Sequence, residues 1–176
     1  MITVNKIMPF FPCSEWPEKR VSDFLGTGLE PLDLIARIGM GISSEDCIWV
    51  LTIQGILSKA IVRSAARLTV RRAVTNYILH YGTPKIELWA QRWLSETDNT
   101  LPSLCIIYPA SAVHAMASVE WYKKYSPDSC EAWEIFYDAA LAAYEARLTG
   151  FWSPAAQDAE RVLQVEDFRV AINRSL

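Results

Sequence analysis

Hydrophobic side chains in this chain recur at three- and four-residue spacing, between punctuating residues that suit helix ends. The clearest stretch is residues 127–149. There Trp133, Phe136, Tyr137, Ala140 and Tyr144 fall on one face of a helical wheel, which predicts an amphipathic helix with that face buried. Its start belongs to a device used three times, at Thr83-Pro84, Ser126-Pro127 and Ser153-Pro154. A hydroxyl residue sits at the N-cap, where it accepts from otherwise unbonded N–H groups. Proline takes the first helical position, where its missing N–H costs nothing. Helices over 84–95, 127–149 and 154–164 follow, with Gly150 ending the second.

Earlier in the chain, Gly26 closes a predicted helix over 17–25. Pro31 opens one over 31–38, with Gly39 just past its end. Ser43 or Ser44 caps a third, with Glu45 and Asp46 placed well against the helix dipole. Residues 56–81 contain neither Pro nor Gly and are rich in Ala, Leu and Arg, so they read as one long helix ending at Gly82. Residues 110–124 and 165–173 supply two more. Residues 1–16 read as irregular: Ile2, Val4 and Ile7 suit a short extended piece, but Pro9 and Pro12 follow. The apolar run 104–108 lies between Pro102 and Pro109 and has no evident strand partner. The expected architecture is all-α: a compact bundle of about seven to nine helices around one long central helix, in a single domain spanning 1–176.

Composition agrees with a packed core. The chain has 176 residues, 51% of them hydrophobic and 21% charged, and includes seven Trp. The alanines at 139, 140, 142 and 143 allow close helix–helix approach. Cys13, Cys47, Cys105 and Cys130 are widely spaced without a C-x-x-C, and read as reduced, mostly buried thiols. No apolar run approaches the ~18 residues that suggest a membrane span. No signal-peptide pattern opens the chain, so a cytoplasmic location is expected.

Charge changes the picture more. The formal net charge is −3, but residues 1–82 hold nine Lys and Arg against seven Asp and Glu, whereas residues 83–176 hold eight against thirteen. Two rows stand out. Lys59, Arg63, Arg67 and Arg71 are spaced by four and form a slowly winding basic ridge, with Arg72 off it. Such a ridge suits phosphates or an acidic surface, or is simply solvated. Glu131, Glu134, Asp138 and Glu145 fall within about 60° of one another on the wheel. Like charges at these spacings weaken a helix slightly. They therefore either face the basic ridge within the same molecule or form a surface for a basic partner.

Chemistry is harder to find. His80 and His114 lack metal-ligand spacing; the first suits a helix C-terminus and the second a core position. Gly26-Thr27-Gly28 and Gly39-Met40-Gly41 lack the further residues of a dinucleotide fingerprint or a P-loop, and no G-x-S-x-G occurs. Trp89 and Trp93 share a helix face and read as core rather than as a stacking platform. Phe151-Trp152, after Gly150, is the pair most expected at the surface. No catalytic residue, metal ligand or cofactor is expected.

Two stretches carry a resemblance. One is Ser44-Glu45-Asp46-Cys47-Ile48-Trp49-Val50-Leu51, leading into a long helix with Ala65-Ala66-Arg67. The other is Thr83-Pro84-Lys85-Ile86-Glu87-Leu88-Trp89-Ala90-Gln91-Arg92-Trp93-Leu94. Together they resemble small all-α proteins carried by phages and mobile elements, including an immunity-protein-like group. The chain departs from that pattern in lacking long alanine-rich repeats near its C-terminus. The resemblance implies a non-enzymatic protein that binds and blocks a host protein or ribonucleoprotein complex, as anti-CRISPR proteins do. Two other readings stand beside it: a nucleic-acid-binding module using the basic ridge, and an enzyme whose site is assembled across helices.

Overall fold

A computed structural model describes residues 1–10, 14–78, 84–95, 115, 129–145 and 154–176. The fold is all-α, a compact helical bundle, and no strand occurs among the described residues. In chain order the α-helices are α1 (Val4–Ile7), α2 (Glu18–Leu25), α3 (Pro31–Ala36), α4 (Ser44–Thr52), α5 (Lys59–Ala73), α6 (Pro84–Leu94), α7 (Ser129–Glu145) and α8 (Pro154–Asn173). A 3-10 turn, Met8–Phe10, follows α1. A π-helical turn, Val74–Ile78, prolongs α5.

Most boundaries follow from local chemistry. Ser43 is the N-cap of α4: its Oγ accepts from the Asp46 N–H at 3.0 Å and donates to Asp46 Oδ2 at 2.7 Å. Pro31 and Pro154 are the first residues of α3 and α8, and Pro84 of α6. Gly26, at φ 59°, ends α2 in a conformation costly for residues with a Cβ.

Four expectations are refined. The long helix begins at Lys59 rather than Ile56, because Ser58 caps it through the Ile61 N–H while Ile56 and Leu57 complete a turn at Gly55. The helices expected over 154–164 and 165–173 are one continuous α8, since nothing between Gln164 and Val165 breaks it. The described part of the segment 1–16 is not wholly irregular. Ile2 and Leu29 exchange backbone hydrogen bonds at 2.6 and 3.0 Å, and α1 follows directly. Helix α3 ends at Ala36, two residues early, as the chain turns into a contact between Ile38 and Ile42. The ends at Gly82 and Gly150, the start at Pro127, the run 104–108, and residues 110–124 apart from the helical, buried Ala115 lie outside the described residues. So do His80, His114 and Phe151-Trp152.

The core lies among α4, α5, α7 and α8. Helix α8 packs on α5, α7 and α4, and α5 also packs on α7. Buried alanines line these crossings: Ala65, Ala66 and Ala73 of α5, Ala132, Ala139 and Ala142 of α7, and Ala171 of α8. Small side chains bring axes close, so larger ones must fill the remaining space. Phe136 and Phe168 do so, stacked with ring centroids 4.8 Å apart. Trp93 of α6 is also buried, as expected, while the Trp89 side chain lies outside the description. Cys47 is buried and free. Burial, and next the nearby Asp46 charge, push its thiol up to about 12. Cys13, Cys105 and the Cys130 side chain are not among the described groups.

Candidate functional site

Helix α7 carries the acidic row predicted from sequence. Because Ser129–Glu145 is one unbroken helix, Glu131, Glu134, Asp138 and Glu145 keep their common side of the wheel. Glu134 is exposed. Asp138 is half-buried and interacts with another group of the chain. The Glu131 and Glu145 side chains lie outside the description. On the opposite side Phe136 and Ala140 are buried and Trp133 half-buried, as expected. Tyr137 departs from the expectation. It is 43% exposed, because it lies three residues after Glu134 at the edge of the outer face. Glu134 and Tyr137 thus present a carboxylate and a phenol ring side by side in helix register.

The basic ridge lies on α5. Lys59 is exposed, while Arg63, Arg67 and Arg71 are half-buried, and each of the four engages another group of the chain. The ridge is therefore not a row of cations standing in solvent.

The arginine off the ridge makes the densest polar cluster among the described residues. Arg72 of α5 points at α8. Its Nε and Nη2 donate to the Glu160 carboxylate, the shortest contact being 2.7 Å. Its Nη1 and Nη2 donate to the Asp167 carboxylate at 3.1 and 2.8 Å. Thr69, one turn earlier on α5, donates to Asp167 Oδ2 at 2.7 Å. Gln164, between the two acids on α8, donates to the Phe136 carbonyl oxygen at 2.9 Å and so ties in α7. Glu160 is 2% exposed and Asp167 8%. Burial holds the Glu160 carboxyl above its ordinary range, against the pull of Arg72. Burial draws the Arg72 guanidinium down, but its hydrogen bonds to Glu160 and Asp167 outweigh this and raise it. One guanidinium fully engaged by two bidentate carboxylates is a connection between helices.

A second feature lies among α1, α2, α3 and α4. A hollow of about 350 Å³, counting space open to solvent, is lined by Trp16, Phe24, Leu25, Leu34, Trp49 and neighbouring apolar side chains. Trp16 and Phe24 meet edge to face at 5.5 Å, with Arg20 over the Trp16 ring at 4.3 Å. Asp46 is the polar residue of the lining, and its carboxylate is already engaged by the Ser43 cap.

Sequence reasoning missed Glu160, Asp167 and Thr69. Glu160, Gln164 and Asp167 recur at i, i+4 and i+7, which reads from sequence as a solvated stripe. No group of three or more His, Cys, Asp or Glu suited to a metal ion occurs among the described residues. No helix among them is long and apolar enough to cross a membrane. No family model, curated protein or solved structure matches the chain.

Proposed function

We propose that this chain is a non-enzymatic binding protein of phage or mobile-element origin that inhibits a host defence complex in the bacterial cytoplasm, in the manner of anti-CRISPR proteins. The observation that carries the binding part is the outer face of α7, where Glu134 is exposed and Tyr137 stands 43% exposed beside it. Tyrosine provides contact area at low entropic cost and is enriched in interfaces. A carboxylate next to it favours a basic partner, such as a protein groove that normally holds nucleic acid. The origin and the target class rest on the resemblance of residues 44–51 and 83–94 described above.

The basic ridge is a weaker basis for function, because Arg63, Arg67 and Arg71 are half-buried and engaged within the chain. The test uses purified CRISPR effector complexes from several classes. Each is mixed with the protein, and target cleavage is measured. Loss of cleavage by at least one class, at a stoichiometry near one, is the expected result. Unimpaired cleavage by every class would overturn the inhibitor reading. Binding to DNA or RNA alone, lost as salt rises, would favour the ridge instead.

A further inference from the structure

Helix α8 is built from two unlike halves. In residues 164–173, Gln164, Val165, Asp167, Phe168, Ala171 and Ile172 are all buried. In residues 154–163, Glu160 is the single buried residue, and Val162 and Leu163 stand exposed. Among the described residues, two ion pairs tie this first half to other helices: Glu160 with Arg72 of α5 at 2.7 Å, and Arg161 with Glu45 of α4 at 2.6 Å. Asp158 adds a weaker contact to Arg161 at 3.8 Å within the same half. The first half thus docks through charge, on both flanks, with no buried apolar side chain of its own.

We propose that residues 154–163 form an electrostatic latch, a segment that opens as a unit while residues 164–173 stay docked. This is independent of the inhibitor reading. Apolar burial sets the cost of opening a segment, and few buried apolar contacts mark the low end of local stability. Arg72 sits at the boundary. On opening it gives up Glu160 but keeps its two hydrogen bonds to Asp167, so the guanidinium is not left without a carboxylate. The outer tether responds to ionic strength, because Glu45 is 43% exposed. The buried Arg72 pair responds much less.

Native-state hydrogen exchange read by mass spectrometry or NMR tests this on the full chain. Amides 158–163 should exchange faster than amides 167–172, although both runs lie near a helix end. Glu45→Gln should speed exchange of the first run alone by about two- to fivefold, and raised salt should do the same. Glu160→Gln should speed it by about tenfold or more, because an amide NH2 then faces the Arg72 donors where a carboxylate oxygen accepted from them. Should Glu160→Gln not fold, Glu45→Gln carries the test unaided. Equal exchange in both runs, or a response to Glu45→Gln spread evenly over α8, would overturn the latch.

Discussion

Arg72 and Glu160 are 88 residues apart in sequence, yet the Arg72 Nη2 lies 2.7 Å from Glu160 Oε1, and the glutamate is almost completely shielded from solvent. Together with Asp167, this contact connects α5 to α8. An ion pair in such a place gives little net stability over an apolar pair, but losing one partner strands the other.

Replacing Arg72 with Leu should therefore be severe. It leaves Glu160 and Asp167 facing each other without a cation, and a loss of about 3–5 kcal/mol is expected. Arg72→Lys should also destabilise, because an ammonium cannot engage two carboxylates bidentately. Urea denaturation followed by circular dichroism would check both. A change within the error of wild type for Arg72→Leu would mean that the cluster contributes nothing.

The pH dependence of stability carries a sign set by Glu160. Burial raises its folded-state pKa above the ordinary 4.5. A raised carboxyl binds its proton more tightly when folded. Its contribution is thus fully present below about pH 4.5 and is lost as pH rises through the raised value. Wild type minus Glu160→Gln, measured by denaturation across pH, should fall as pH climbs from 4.5. A difference that grows with pH would show that Arg72 outweighs burial.

The Cys47 thiol, buried and pushed up to about 12, should stay protonated and inert at neutral pH. Iodoacetamide treatment at pH 8 followed by peptide mapping should leave Cys47 unmodified in the native protein and label it in guanidinium. Rapid native labelling would place the thiol at the surface instead.

Ser43 makes both capping contacts of α4, so Ser43→Ala should cost about 1 kcal/mol. Thermal unfolding should show a lower Tm with unchanged helical signal, whereas an unchanged Tm would mean that the cap is redundant.

The helix starts were legible because their chemistry is local. Ser43, Pro31, Pro84 and Pro154 act within one turn, so their meaning survives without the rest of the fold. Ser58 is a capping residue of the same kind, but the apolar Ile56 and Leu57 before it looked like part of the helix. Where no breaker intervenes, as between Gln164 and Val165, sequence gives no reason to continue or stop, and packing decides. The Arg72 cluster was not legible, because a row of polar residues at helical spacing looks the same whether water or a guanidinium faces it. Tyr137 was misplaced for a related reason. A residue at the margin of an apolar face is buried or exposed according to which neighbour arrives. The acidic row was visible as a pattern, and the exposure of Glu134 was added only by the fold.

The Glu134–Tyr137 face is proposed to bind a basic protein surface. The most direct test is the affinity of wild type, Glu134→Arg and Tyr137→Ala for any effector complex that the protein inhibits, measured at moderate salt. Both positions are exposed, so the variants should fold normally. Glu134→Arg should lose at least tenfold in affinity, about 1.4 kcal/mol, and Tyr137→Ala a comparable amount. Wild-type affinity in both folded variants would contradict it.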